Sequence, residues 1–286
     1  MDSLLIVAAT VVAVLIVLRT IAPTHKPSFT VSERVPTRGL AASVGGLGRA
    51  CAKTERGKGV SAARVCRALK KTVAAAARKK EREKWESKLV DNAELLIGAA
   101  EAAKKTLGKS YMLGHVRGTP RIFALCKEIA EKTRGRVDKD LFIELVTRFS
   151  AAAPLTVDEC GMLGDMLIFC LCGTICAAAD GAERKGRAYD KGRADGADGR
   201  VDLDRITSDD YICGLIETAE DTDAVARMAE NNGIDVDAAV AARRKYVAEV
   251  YALIACAAEA VKAFSALPRY EFYGLSAAYS VLEQSS

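Results

Sequence analysis

The sequence predicts an all-α protein: an N-terminal single membrane-spanning helix, followed by a basic tether and helix and then an antiparallel multi-helix domain. Of the 286 residues, 50% are apolar but only 6% are aromatic, and alanine is abundant. That composition favours helices over sheets. Apolar residues also recur at i+4 spacing between recognisable helix starts and stops, which is typical of amphipathic helices.

The first 22 residues predict a transmembrane anchor. Leu4–Leu18 is apolar apart from Thr10, and the whole stretch approaches the ~20 residues that cross a bilayer. A cleaved signal peptide would carry basic residues ahead of its apolar run, whereas here Asp2 precedes the run and Arg19 interrupts its end. We therefore favour a retained anchor over residues 1–22, with a cleaved signal or a buried core helix as alternatives.

Basic residues flank the anchor only on its C-terminal side, at Arg19, Lys26, Arg34 and Arg38. By the positive-inside rule this places the N-terminus outside and the C-terminal domain in the cytoplasm. Nine cysteines at irregular spacings agree with that compartment, because an odd and scattered set is poor material for a disulfide framework.

Composition divides the remaining chain into four segments. Residues 23–60 hold Pro, Ser, Thr and Gly without a sustained period, and we predict a flexible tether there. Residues 61–180 are interpreted as the basic helix and a first helical half. Residues 181–207 are rich in Gly, Asp and Arg and predict a disordered loop. Residues 208–286 are interpreted as a second helical half.

Positive charge is concentrated just beyond the anchor. Between Arg49 and Lys88 there are 14 Lys and Arg against four Glu, a net charge of +10, while the whole chain carries +5. Near an anionic membrane each such residue contributes up to ~1 kcal/mol. The predicted contacts to anionic lipid are Arg64, Arg67, Lys70, Lys71, Arg78, Lys79, Lys80, Arg82 and Lys84.

This basic segment is predicted to be helical, because Ser61 is a suitable N-cap and Val65, Leu69 and Val73 follow at i+4 spacing. A solvated charged face is the simplest alternative to lipid binding. Nucleic acid is disfavoured, since no aromatic residue interleaves the cluster before Trp85.

Three capped helices are predicted in the middle of the chain. Thr119 and Pro120 begin the first, Asp138 begins the second, and Thr156 begins the third with Glu159 completing a capping box. The short links between them indicate antiparallel packing. The third helix continues through an apolar run over residues 162–179 that resembles a second membrane span, but Asp165 within it favours a buried core helix.

No catalytic, cofactor-binding or metal-ligating constellation is predicted. The segment ADGADGRVDLDR lacks most of the carboxylates of a calcium loop. Cys172 and Cys176 share a helix face but read as packing residues, since His25 and His115 are not placed to complete a metal site. Three pairs of Asp one residue apart are of a kind common in loops and at helix starts, and two of them lie where an N-cap is expected.

The chain from Trp85 to Ser286 nevertheless resembles a known helical region. The matching stretches include LVDNAELLIGAAEAAKKTLGKSYM, GTPRIFALCKEIAEKTRGRVD, APLTVDECGMLGDML and FSALPRYEFYGLSAAYSVLEQ, in the same order. They are similar to the region N-terminal to the glycosyltransferase domain in cyclic β-1,2-glucan synthases and related glycan synthases. Met162 and Gly164 stand where that family usually has Trp and Pro. The family's catalytic residues have no matching positions here.

Two functions are therefore expected. The resemblance implies a non-catalytic, membrane-anchored cytoplasmic accessory module that docks on or regulates membrane glycan synthesis, with a membrane glycosyltransferase as its partner. The charge pattern predicts instead a membrane-surface adaptor whose partner is anionic lipid, with nucleic acid a less favoured ligand. An enzyme is the least favoured interpretation, because no acid, base, nucleophile or metal cluster is found.

Overall fold

The computed structural model describes residues 27–31, 33–57 and 59–276, so the predicted anchor and the C-terminal ten residues lie outside the described residues. The described chain is mostly helical, as predicted. Its α-helices are α1 Thr37–Ala50, α2 Ala62–Arg78, α3 Lys84–Asp91, α4 Ala93–Leu107, α5 Arg121–Thr133, α6 Lys139–Ser150, α7 Val157–Ala197, α8 Asp209–Thr218, α9 Thr222–Asn231 and α10 Val236–Ser265. One small hairpin pairs β1 His115–Val116 with β2 Thr119–Pro120. Short 3-10 helices span Ser110–Met112, Leu203–Arg205 and Arg269–Leu275.

Helix α7 is the centre of the fold. Its N-terminal half is buried on almost every side, and α2, α4, α5 and the C-terminal half of α10 pack around it. Their apolar stripes join in one large core that also includes α1, α3 and α6. A second, smaller cluster lies beside the C-terminal half of α7, where α8, α9 and the start of α10 meet. The two long helices therefore pass through both clusters.

The predicted helix starts are confirmed in most cases. The Asp138 side chain accepts a hydrogen bond from the Leu141 amide, and Thr156 and Glu159 form the reciprocal capping box. Asp221 and Asp235 cap α9 and α10 in the same way as Asp138. Thr119 was wrongly expected to cap α5, because it pairs with Val116 in the hairpin and the helix begins at Arg121.

The predicted tether is wrong over residues 37–50. This segment forms α1, which buries Leu40 and Val44 and packs on α6 so closely that a Cβ on Gly48 would lie 2.7 Å from the Phe149 carbonyl oxygen. The glycines of this segment led to the wrong prediction of a flexible chain. Gly48 serves a close contact between helices rather than a flexible chain.

The predicted disordered loop is also wrong over residues 181–197, which continue α7 without a break. The glycines again explain the error. A Cβ at Gly192 would lie 2.1 Å from the Tyr211 carbonyl oxygen, and one at Gly214 would lie 2.0 Å from the Tyr189 carbonyl oxygen. Small residues let the backbones of α7 and α8 touch, and the tertiary contact outweighs the low helix propensity of glycine, which is ~1 kcal/mol per residue.

Helix α7 is also long and apolar enough to span a membrane, by length and composition. Within the protein, 78% of its most apolar window is buried against neighbouring helices. Asp165 in this run faces the guanidinium of Arg269, with 3.6 Å between Oδ2 and Nε. These contacts agree with the predicted core helix.

Candidate membrane-facing surface

Helix α2 carries the candidate site on its outer surface. Its inward stripe, Val65, Leu69 and Val73, is buried as predicted. A period of 3.6 residues per turn then leaves a set of cations on the opposite side. We call this set the basic face; it consists of Arg64, Arg67, Lys71 and Arg78, which are all exposed.

The charges of the basic face are not neutralised by neighbours. Among the residues that the structure describes, no carboxylate lies within ion-pairing distance of any of the four. The Nε of Arg67 bonds the Ala63 carbonyl within the same helix, which leaves its charge in place. Four uncompensated cations on one face of one helix form a surface that attracts anions.

Three other predicted contact residues bind groups elsewhere in the protein. The Lys70 ammonium lies 3.0 Å from Glu101 on α4. Lys79 binds Glu86, whose side chain is only 2% exposed, at 2.6 Å. Arg82 donates hydrogen bonds to the carbonyls of Ala76 and Ala77 at the end of α2.

Lys79 is held charged by its partner. Desolvation lowers the pKa of Lys79, but the hydrogen bond and the charge of Glu86 outweigh burial, so the pKa is raised above its ordinary value. The last two predicted contacts, Lys80 and Lys84, are exposed beside the turn between α2 and α3. Of the nine predicted contact residues, four therefore form the basic face, three bind groups elsewhere in the protein and two lie exposed beside the turn.

The segment that leads toward the predicted anchor is fixed to the domain. The ring of Phe29 packs edge-on against Phe123 and Phe169 and covers Gly173, where a Cβ would lie 2.3 Å from the ring. The Thr30 amide donates to a carboxylate oxygen of Glu131 at 2.6 Å. Sequence reasoning missed this docking, and the one signal for it was an isolated aromatic residue in a Pro- and Ser-rich stretch.

A groove joins this docked segment to the basic face. It has a volume of about 690 Å³, and Phe29 and Val31 line it together with three arginines, including Arg64, and three carboxylates. Arg64 is therefore both the first residue of the basic face and a neighbour of the chain that comes from the predicted anchor. The connection relates two features that the sequence places 35 residues apart, Phe29 and Arg64.

The cysteines are all free, and eight of the nine are buried. Burial raises the pKa of Cys160 to about 12 and raises those of Cys172 and Cys176 as well. A raised pKa keeps a thiol protonated and unreactive at neutral pH. Over the described ranges, no group of three or more His, Cys, Asp or Glu is arranged to hold a metal ion.

No protein-family model matches the chain, and no curated protein matches it significantly. The resemblance to the helical region of cyclic β-1,2-glucan synthases stays a prediction, as does the glycosyltransferase partner that it implies.

Proposed function

We propose that this chain is a single-pass, membrane-anchored helical module with its helical domain in the cytoplasm, and that the basic face of α2 binds anionic lipid headgroups. The observation that carries the proposal is the groove in which Arg64 meets the docked segment around Phe29. It brings the segment that follows the predicted anchor next to the first charge of the basic face.

The length of chain between anchor and domain supports this arrangement. Six residues separate Ala22, the end of the predicted anchor, from Phe29, which makes seven steps between Cα atoms. Fully extended they span about 25 Å, since each residue contributes at most ~3.6 Å. Because Phe29 is packed against the core, the side of the domain around Phe29 and Arg64 stays within that distance of the bilayer.

Charge then determines which surface turns toward the lipid. The basic face runs along α2 from Arg64 to Arg78, about 21 Å at 1.5 Å per residue. Anionic headgroups attract each of these cations by up to ~1 kcal/mol, and the attraction falls off within about 8 Å at physiological salt. The short connection keeps Arg64 within about 25 Å of the bilayer, so the basic face can turn onto the headgroups and its individually weak attractions can act together.

Energy transfer from Trp85, which is the sole tryptophan, to dansyl-labelled headgroups tests the proposal in the full chain. Trp85 is buried in α3, directly after α2, and reports how close that part of the domain lies to the lipid. The chain is reconstituted into nanodiscs of phosphatidylcholine with or without phosphatidylglycerol. We expect more transfer in the anionic nanodiscs, and a decrease when salt is added.

A four-residue variant locates the effect. Replacing the basic face by Arg64→Gln, Arg67→Gln, Lys71→Gln and Arg78→Gln should abolish the difference between the two lipids. The matched control removes four exposed cations from α9 and α10, by Arg227→Gln, Arg244→Gln, Lys245→Gln and Lys262→Gln. Equal transfer in neutral and anionic nanodiscs would refute the proposal, and binding of short RNA by the basic face in that case would support the nucleic-acid alternative.

A further inference from the structure

The 3-10 turn Ser110–Met112 presents two large apolar side chains to solvent. Tyr111 is 51% exposed and Met112 is 63% exposed, whereas Leu113 next to them is buried. Exposed apolar residues that occur singly are normal on protein surfaces. An aromatic residue and a methionine side by side at the tip of a turn are more specific, because tyrosine prefers the interface between water and lipid.

The sequence around this turn is uniformly basic. Between Ala102 and Pro120 there are four Lys and Arg and no Asp or Glu. Lys105 and Lys109 are exposed just before the turn, and Arg117 is exposed at the tip of the following hairpin, where the Gly118 amide binds the exposed carboxylate of Glu55. Apolar tips surrounded by cations are the pattern of surface elements that insert into anionic membranes.

The turn lies at the end of α2 where Arg64 is found. The Val60 amide, just before α2, donates to the Ser110 hydroxyl at 2.9 Å. Helix α4 leads into the turn and runs antiparallel to α2, since Cys66, later in α2 than Val60, donates to the carbonyl of Ala100, which precedes the turn in α4. The turn therefore lies beside the N-terminal end of α2, the end at which the basic face begins with Arg64.

We propose that Tyr111 and Met112 insert into the interfacial region of an anionic bilayer when the basic face contacts the headgroups. This inference rests on the proposed function, and it adds a second contact of different chemistry. The basic face supplies long-range attraction, while the turn buries apolar surface among the headgroups and upper acyl chains. Together the two contacts would fix the rotation of the domain about α2.

Depth-dependent fluorescence quenching tests the inference in the full chain. Met112→Trp places a reporter at the tip, and the parent chain supplies the baseline of buried Trp85. In nanodiscs containing phosphatidylglycerol and phosphatidylcholine brominated near the headgroup, we expect the emission of the Met112→Trp reporter to shift to the blue and to lose intensity. In neutral nanodiscs the shift and the loss should be smaller.

Leu203→Trp is the matched control. Leu203 is 72% exposed in a 3-10 helix as well, but Asp202 and Asp204 flank it and it lies beside the second cluster. This reporter should show neither the shift nor the quenching. Equal quenching of the two reporters, or none of Met112→Trp, would overturn the inference. Energy transfer from Trp85 in the parent chain would still report headgroup binding by the basic face, so failure of the inference and failure of the proposed function are distinguishable.

Discussion

Arg121 and Glu159 form a buried, bidentate ion pair that joins the start of α5 to the start of α7. The Arg121 Nε lies 2.7 Å from Oε1 of Glu159, and its terminal nitrogen lies 2.6 Å from Oε2. The Glu159 side chain is fully buried and also accepts from the Thr156 amide. One carboxylate therefore completes a helix cap and binds a second helix.

Removing the cation of this pair should be costly. Arg121→Ala leaves the Glu159 carboxylate buried without its partner, which costs about 3–5 kcal/mol. Urea unfolding of the full chain in detergent, followed by circular dichroism, measures the loss. Arg148→Ala is the control, because its pair with Glu144 is exposed and should be worth less than about 1 kcal/mol. Similar losses for the two variants would contradict the assignment.

Two glycines of α7 should respond oppositely to alanine. Gly192→Ala places a methyl group against the Tyr211 carbonyl and should destabilise the protein by about 1–3 kcal/mol through overpacking. At Gly186 a Cβ meets nothing within 4 Å, so Gly186→Ala should stabilise it by up to about 1 kcal/mol through helix propensity. The same unfolding measurement compares them, and stabilisation by Gly192→Ala would argue against close packing of α7 on α8.

The docked N-terminal segment should depend on its aromatic side chain. Phe29→Ala removes the ring from Phe123 and Phe169 and should cost about 2 kcal/mol. Limited proteolysis should then cut the chain ahead of α1 faster than in the parent. Val31→Ala provides the control, since Val31 is 40% exposed and should change stability by less than about 0.5 kcal/mol. Unchanged cleavage in Phe29→Ala would show that the ring does not hold the segment.

The Asp138 cap offers a smaller and more local prediction. Asp138→Ala removes the acceptor for the Leu141 amide and should lower the free energy of unfolding by about 1 kcal/mol. Asp140→Ala changes the same helical turn without removing the cap, so its loss should be smaller. The denaturant midpoints of the two variants measure this difference. An equal loss of stability in both would show that the charge, and not the cap hydrogen bond, stabilises the helix.

The pair of Lys79 and Glu86 predicts an alkaline dependence of stability. Because the pKa of Lys79 is raised in the folded protein, the pair stabilises fully below the unfolded-state pKa of this lysine and is lost as pH rises through the folded-state value. The stability difference between the parent and Lys79→Gln should therefore shrink at high pH. A stability difference between the two proteins that grows with pH would show that the pKa of Lys79 is not raised in the folded protein.

Much of the helical architecture could be predicted because its signals are local. Asp138, Thr156 and Asp235 cap helices through their own neighbours, and the stripe of Val65, Leu69 and Val73 faces inward as its spacing requires. The tether and loop predictions were wrong because they too relied on local signals, and the decisive contacts are not local. Glycine favours a flexible chain locally, whereas Gly48 and Gly192 are used where another helix approaches, and that helix is distant in sequence.

The candidate site was predictable as a set of charges but not as a surface. Composition found all nine cations, yet Glu101 and Glu86 were needed to show that Lys70 and Lys79 are engaged internally. The docking of Phe29 depends on Phe123 and Phe169, about 100 residues or more further along the chain. Pairing over such separations leaves little trace in a single sequence.

The uninterrupted length of α7 has a mechanical consequence. At 1.5 Å per residue its 41 residues extend about 60 Å, from the capping box at Thr156 to the small cluster beside α8. This one continuous helix is packed in the large core at one end and against α8 at the other. A displacement of α8 and α9 would therefore reach Gly173, and the ring of Phe29 packed on Gly173 would transmit it to the segment that follows the predicted anchor.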